Sequence, residues 1–389
     1  MGGPCPVNWQ AQGSGGAGPG RLPFQGLDSL MSCFQTEPWF RLMASRGLGG
    51  QVTPVRFAAP AGQGAALALW LCRHAKPVAP AGARLTALGN FYTPRFGPVL
   101  DTQSPRWASQ EALDAAAQLG AQLRADPAGA VLSLQPLQDG SDELRLLQQG
   151  LQAAGYRTDV YHCFENWVLR CEGLRFEAFW ATRSSRLRNT ERRARKRLAA
   201  EQGLEIEIVR TPGPALERAL ADFEAVYADS WKQAEARPDF IRALAQQMAE
   251  DGRLRLGVLR LQGVAQAAQL WWVHEGVASI YKLAYRESAA KLGVGTVLSA
   301  TLFREALDSG EVRLIDYLNG SEPYKRDWVD ERRDFVGLVA FDLRRPAAWG
   351  PAVRHFGGRW LKGVLKRLRP QTAGAMAGAV TDGAAQDCA

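Results

Sequence analysis

The sequence of 389 residues predicts an α/β protein with a mixed sheet, and its length is enough for two or three domains. Strand and helix patterns alternate along the chain, as they do in sheets that are covered by helices. In the second half, three strand patterns follow one another across the short turns Gln262-Gly263 and Glu275-Gly276, which predicts antiparallel neighbours. A strand, a helix and another strand come next, and such a crossover predicts a parallel pair.

The second half has the clearest pattern, because its apolar residues recur at a period of two in some segments and of 3.6 in others. Its predicted elements are a strand at 204–209, helices at 215–233 and 238–252, strands at 253–263, 264–276 and 277–288, a helix at 296–307, a strand at 312–320, a helical turn at 322–328 and a strand at 333–343. The order is therefore β-α-α-β-β-β-α-β-α-β.

The first half is similar in style, with weaker patterns. Its predicted elements are a helix at 34–44, strands at 52–59 and 65–74, a helix near 108–125, a strand at 130–137, a helix at 142–155 and a strand at 165–171. No pair of glycines precedes a helix here, so we expect no cofactor in this lobe.

The composition is that of a globular protein, with 46% hydrophobic and 22% charged residues. The net charge of +8 allows a polyanionic partner, but the basic excess is concentrated in the two segments 183–198 and 354–370. The six cysteines include no CxxC pair, which favours reduced core thiols, and neither they nor the four histidines predict a metal site.

Five segments are predicted along the chain: a disordered tail at 1–22, a first lobe at 23–180, a second lobe at 181–345, a basic amphipathic helix at 346–370 and a disordered tail at 371–389. Both tails are rich in Gly and Ala, which favours disorder. No signal peptide and no apolar run of about 18 residues is present, so we expect a cytoplasmic protein.

The order of the second half resembles the GNAT superfamily of N-acetyltransferases. The motifs WK at 231–232, GVGTVL at 293–298 and DYLNGSEPYKRDW at 316–328 are similar, within it, to CelD/BioF-like acetyltransferases, which are relatives of the FemAB peptidyl transferases. The resemblance extends over 183–342. It implies tandem GNAT-like lobes, of which the second is complete and the first is degenerate, and acetyl-CoA as the acyl donor.

A glycine pair before the helix at 296–307 is the candidate donor site. Amides at a helix N-terminus can bind a pyrophosphate, and glycine lets the backbone approach it closely. The candidate amides are those of Gly293, Val294, Gly295 and Thr296. A plain tight turn is the alternative. The GNAT pattern has Arg or Gln at the position of Ala290, and Lys291 is the candidate replacement.

The candidate catalytic residues are Asp316 and Tyr324. Asp316 lies among apolar residues on a strand and can act as a base for the acceptor, or as a structural carboxylate that accepts backbone amides. The resemblance implies that Tyr324 protonates the departing thiolate; a packed tyrosine is the alternative. Tyr281, Lys282 and Lys325 are candidate acceptor-binding residues.

These features predict transfer of an acyl group, usually acetyl, to an amine or hydroxyl of a small-molecule or glycan-precursor acceptor. The resemblance suggests polysaccharide biosynthesis. An aminoacyl-tRNA-dependent transferase, with 183–198 as its tRNA contact, and a non-catalytic scaffold remain alternatives. The segment 354–370 either lies on an anionic membrane surface or docks on the first lobe. The oligomeric state is not predicted.

Overall fold

The computed structural model describes six stretches of the chain: residues 32–49, 52–62, 65–74, 84–100, 107–200 and 203–357. The predicted tails at 1–22 and 371–389 lie outside these residues, as does the second part of the predicted helix at 346–370.

Twelve strands of the described chain form one sheet. They are β1 (Val52–Pro60), β2 (Ala66–His74), β3 (Leu85–Ala87), β4 (Val99–Leu100), β5 (Val131–Gln138), β6 (Arg157–Arg170), β7 (Leu204–Val209), β8 (Leu254–Leu261), β9 (Val264–His274), β10 (Val277–Tyr285), β11 (Leu314–Asn319) and β12 (Glu331–Phe341). The order across the sheet is β1-β2-β3-β5-β12-β6-β11-β10-β9-β8-β7, with β4 beside β2.

The α-helices with assigned bounds are α1 (Glu37–Leu42), α2 (Gln110–Ala125), α3 (Asp142–Ala153), α4 (Phe176–Thr182), α5 (Ser185–Ala200), α6 (Pro214–Ala228), α7 (Pro238–Glu250), α8 (Val294–Ser309) and α9 (Lys325–Trp328). A 3₁₀ turn, Glu287–Leu292, leads into α8. None of the described helices is both long enough and apolar enough to cross a lipid bilayer.

The predicted mixed α/β fold is confirmed. β3 pairs with β5 in parallel and β10 pairs with β11 in parallel, while the other pairs are antiparallel. From β7 to β12 the element order is the one predicted for the second half. The two predicted turns of the meander, Gln262-Gly263 and Glu275-Gly276, have positive φ at all four residues, as tight hairpin turns require.

Strands from the two halves alternate in the middle of the sheet. β12 lies between β5 and β6, and β6 lies between β12 and β11. The segments predicted as lobes, 23–180 and 181–345, therefore share a continuous hydrogen-bonded sheet.

Helices cover both faces of the sheet around β9, where neighbouring side chains point in opposite directions. Trp271 packs edge-on against Phe303 of α8, with ring centroids 5.4 Å apart. Trp272 packs on the other face against Phe34 of the first half, at 5.6 Å, in a core that also includes residues of α6 and α7. The two faces of the sheet are thus covered by different helices.

The chain after β12 turns back onto the sheet. Residues 349–357 are helical, and Phe356 lies 5.7 Å from the ring of Phe341 while Ala352 is buried beside it. This first part of the predicted helix at 346–370 packs on the protein, whereas Trp349 and Val353 are exposed. Binding of 354–370 to a membrane stays a prediction.

Candidate functional site

An opening in the sheet lies between the parallel strands β10 and β11. The strands pair only at Val277–Leu314, Ala278–Ile315 and Ser279–Asp316. Beyond these pairs β10 stays with β9, after an irregularity near Ile280, and β11 stays with β6. The carboxyl ends of the two strands therefore separate, and ligands of open α/β sheets bind at such places.

Helix α8 starts at this opening with unsatisfied amides. Gly293 is its N-cap, in the left-handed conformation with φ of 73°, and no side chain caps the helix. The amides of Val294, Gly295 and Thr296 have no acceptor within the helix, because they belong to its first turn. Lys291 is exposed immediately before them. The first turn thus offers the amides and positive dipole end that an anion needs.

Both glycines also have packing reasons to be glycine. A Cβ built on Gly293 would lie 2.8 Å from the Ala194 Cβ of α5, and a Cβ on Gly295 would lie 2.9 Å from Cδ1 of Tyr285. The close approach of α5 and of Tyr285 therefore requires glycine whether or not a phosphate binds. The glycine pair alone does not distinguish the two interpretations.

The basic segment predicted at 183–198 forms α5 and packs beside this first turn. Arg197 donates a hydrogen bond to the carbonyl of Lys291 at 2.7 Å, and Arg195 pairs with Glu191 and donates to Thr301 Oγ1 at 3.2 Å. The exposed basic side chains of α5 are Arg186, Arg188, Arg192, Arg193, Lys196 and Arg197. The sequence indicated the charge of this helix but not its position beside α8.

Asp316 lies at the last position of β11 that pairs with β10. Its Oδ1 accepts the amide of Leu318 at 2.7 Å, and Leu318 has a positive φ of 58°. The carboxylate is half-buried and forms no other hydrogen bond within the described residues. It therefore shapes the end of β11 through one oxygen and has a second oxygen available, so both predicted roles remain open.

Tyr324 lies after β11, on the edge of the opening. Its side chain is 39% exposed and its ring meets that of Tyr317 edge-on, with centroids 6.0 Å apart. Partial burial, followed by the charge of Glu322 and by Tyr285, raises the pKa of Tyr324 above its ordinary value. The hydroxyl therefore stays protonated at neutral pH, which is the state a general acid needs.

Lys325 forms its polar contacts with neighbouring residues of the same turn. Its buried Nζ donates to the carbonyls of Asn319, at 2.5 Å, and Gly320, at 3.3 Å, and pairs with Glu322 at 2.8 Å. Burial lowers the pKa of Lys325, with Glu322 and then Asp316 acting in the opposite direction. These bonds close the turn that carries Tyr324, and acceptor binding by Lys325 stays a prediction.

Lys282 lies on β10 and is paired. Its Nζ is 2.5 Å from Glu235 Oε2, and Glu235 Oε1 accepts the hydroxyl hydrogen of Tyr92. Tyr281 donates to the carbonyl of Tyr92 at 3.0 Å and packs against Trp272. The structure thus brings Tyr92, from the first half, to the two predicted residues of β10. No local sequence signal indicated this residue.

The described residues contain no group of three or more His, Cys, Asp or Glu side chains that could hold a metal ion.

Comparison with known proteins gives a family match within the second half of the chain. Residues 185–326 match the family model for the acetyltransferase (GNAT) domain, which runs from α5 to α9 and includes Asp316, Tyr324 and the first turn of α8. The match covers less than half of the chain, and it supports a GNAT-like fold and a transferase of the acyltransferase kind. No curated protein matches the sequence.

Several solved structures are similar to this protein over most of the chain. FemX is similar at 12% identity with a TM-score of 0.50, covering 76% of this chain and 94% of that chain. L-PGS from Bacillus licheniformis has 15% identity and a TM-score of 0.47, covering 80% and 93%. A GCN5-related N-acetyltransferase from Kribbella flavida has 15% identity and a TM-score of 0.35, covering 77% and 91%. At such identities the likeness to FemX shows a common fold and nothing about substrates.

Proposed function

We propose that this protein transfers an acyl group, acetyl in the first instance, from acyl-CoA to an amine or hydroxyl of a small-molecule or glycan-precursor acceptor. The observation that supports the proposal is the uncapped first turn of α8 beside the opening between β10 and β11. The match of residues 185–326 to the GNAT domain supports the same chemistry.

The donor's pyrophosphate would bind the amides of Val294, Gly295 and Thr296. Lys291 and Arg197 are exposed cations at the same end of the helix and would attract the phosphates from solution. Lys291 would then supply part of the positive charge that the GNAT pattern places at the position of Ala290.

In the proposed reaction the acceptor nitrogen or oxygen attacks the thioester carbonyl carbon. Asp316 takes the proton from the nucleophile, directly or through water, as the new bond forms. The carbon–sulfur bond of the tetrahedral intermediate then breaks, and Tyr324 gives its proton to the departing thiolate. Transfer of a proton from Asp316 to Tyr324 through solvent restores both groups.

Acetyl-CoA binding tests the proposal. At 100 times its dissociation constant, acetyl-CoA should stabilise the folded protein by about 2.7 kcal/mol, which a thermal shift detects. Gly295→Glu should abolish the shift, because it puts bulk and a negative charge at the first turn. That change also crowds Tyr285, so Lys291→Glu, at an exposed site, is the second variant. Arg145→Glu, at an exposed position of α3 in the first half, is its control.

Lys291→Glu should weaken binding, while Arg145→Glu should leave it nearly unchanged. No shift of the unmodified protein with acetyl-CoA at millimolar concentration would contradict the proposal.

An aminoacyl-tRNA donor is the second candidate, and the position of α5 favours it. Exposed arginines and a lysine of that helix lie beside the first turn of α8, where a polyanion could contact both. Binding of tRNA that weakens steeply with salt, lost in Arg188→Glu/Arg192→Glu, together with no response to acetyl-CoA, would support this donor. A protein that binds neither would fit the non-catalytic scaffold.

A further inference from the structure

Lys232 lies on the loop between α6 and α7, next to the opening of the sheet. Its side chain is half-buried, and its Nζ lies 5.8 Å from the ring centroid of Tyr227 and 5.6 Å from that of Trp231. The Trp231 ring, 48% exposed, in turn packs on Tyr285 of β10 at 4.4 Å. The ammonium is thus held between two aromatic rings at the edge of the opening.

Lys232 is the cation without a carboxylate partner in a cluster of three lysines and two glutamates. Glu235 pairs with Lys282, and Glu322 pairs with Lys325. The described residues offer Lys232 Nζ no ion pair, although all four of these groups act on it electrostatically. The cluster therefore has one positive charge in excess at a position that is partly removed from water.

Holding this charge is unfavourable in the absence of a ligand. Burial, followed by the repulsion of Lys282, lowers the pKa of Lys232 to about 8, and the attraction of Glu322 and Glu235 does not offset these effects. A partly desolvated ammonium gains most from an anion that binds beside it. The cation–π contacts fix the side chain without supplying that negative charge.

We propose that Lys232 binds an anionic group, a phosphate or a carboxylate, of the acceptor. The inference rests on the proposed function, since it assigns a chemical class to the substrate of the same site. Lys232 is on the α6–α7 loop, whereas the donor's amides belong to the first turn of α8. The anion of the acceptor and the phosphates of the donor thus have separate binding groups.

The test uses three sugars that differ in charge: glucose 6-phosphate, glucuronate and neutral glucose. The intact protein is labelled briefly with acetic anhydride, and acetylation of each lysine is read by peptide mass spectrometry. A bound anion should slow labelling of Lys232 several-fold, while exposed Lys196 serves as the internal reference. The sugar that protects Lys232 distinguishes a phosphate from a carboxylate, and glucose should not protect.

Affinity measurements with variants complete the test. Lys232→Gln should weaken binding of the protective sugar about tenfold, since one hydrogen bond to a charged group is lost. Lys232→Arg should retain most of the affinity, and Arg145→Gln, at an exposed position of α3, should retain all of it. Within the described part of the chain the Lys232 side chain forms no hydrogen bond, so these changes should leave the fold intact.

Three outcomes would overturn the inference. They are equal protection by glucose and by the charged sugars, no protection by either anion at millimolar concentration, and affinity in Lys232→Gln within twofold of the unmodified protein. Protection of Lys232 by CoA alone would likewise assign the lysine to the donor. Acetyl-CoA binding is measured separately. If the protein binds acetyl-CoA but neither anion, this inference is wrong and the proposed function is not affected.

Discussion

Gly293, the N-cap of helix α8, packs directly against Ala194 of helix α5. A Cβ on Gly293 would lie 2.8 Å from the Ala194 Cβ, and the glycine has a φ of 73°. One residue thus serves two demands: it lets the chain turn into α8 in the left-handed conformation, and it lets the basic helix lie against the first turn. Any ligand of that turn meets a surface that this contact has positioned.

We expect Gly293→Ala to destabilise the fold for both reasons. The left-handed conformation costs a residue with a Cβ roughly 1–2 kcal/mol, and overpacking adds about 1–3 kcal/mol. Gly310→Ala is the matched control, because Gly310 ends α8 with a φ of 76° and nothing within 4 Å of its built Cβ. Urea denaturation should show a larger loss for Gly293→Ala, and Ala194→Gly should recover the excess. Equal losses of unfolding free energy in Gly293→Ala and Gly310→Ala would show that the contact with α5 adds nothing to the cost of the substitution.

Substitution of Asp316 separates its two predicted roles. Asp316→Asn keeps an Oδ1 that can accept the Leu318 amide and removes only the charge. If Asp316 is the base, turnover should fall at least about 10²-fold without loss of stability or of CoA affinity, and higher pH should partly restore it for an amine acceptor. Asp316→Ala should also lower the melting temperature. Turnover of Asp316→Asn within about threefold of the unmodified protein would leave only the structural role.

Tyr324→Phe removes the proposed acid and leaves its ring in place. We expect turnover to fall at least about 10²-fold while acetyl-CoA affinity hardly changes, because the hydroxyl acts only as the thiolate departs. Tyr317→Phe is the control: its ring lies 6.0 Å from that of Tyr324, and its hydroxyl has no proposed role. Steady-state kinetics and a CoA titration measure the two effects. Similar kinetics for both variants would remove Tyr324 from the mechanism.

His274 should make the folded state sensitive to acid. Burial, followed by the charge of Arg253, lowers the pKa of His274 from 6.5 to about 4, and its Nε2 has no hydrogen-bond partner among the described residues. In the unfolded chain His274 is therefore protonated below about pH 6.5, whereas in the folded chain it is protonated only below about pH 4. Stability present above pH 6.5 should be lost across this window, up to about 3 kcal/mol.

Urea denaturation at several pH values checks this expectation. His274→Gln should reduce the slope of unfolding free energy against pH between 6.5 and 4, because the side chain no longer titrates. His162→Gln, at an exposed position, is the control for the loss of an imidazole ring. A slope that is the same in His274→Gln and in the unmodified protein would show that other groups cause the acid sensitivity.

Local patterns predicted the elements of the second half well, because each depends on a short period or a turn. Gln262-Gly263 and Glu275-Gly276 predicted two tight turns, and both adopt the positive φ values that such turns need. The same reasoning predicted that β10 and β11 are parallel, since a helix connects them. These features depend on residues that are close in sequence.

Contacts between the two halves were not predictable in this way. Tyr92 donates to Glu235 across 143 residues of sequence, and neither residue belongs to a periodic pattern. The pairing of β12 with both β5 and β6 likewise depends on which strand edges are free after the rest has folded, and not on the composition of β12. The contact of Gly293 with Ala194 likewise joins residues that are far apart in the sequence, and no local pattern predicts it.

The placement of β12 between β5 and β6 has a consequence for biosynthesis. β5 and β6 leave the ribosome long before residues 331–341, yet they reach their final neighbour only when β12 arrives. Until then both strands have open edges, which favour wrong pairing and aggregation. Closure of the sheet over so many residues also predicts slow folding, because long-range pairing carries a large entropy cost before its bonds form. A nascent chain of this protein should therefore depend on chaperones until its last described strand is made.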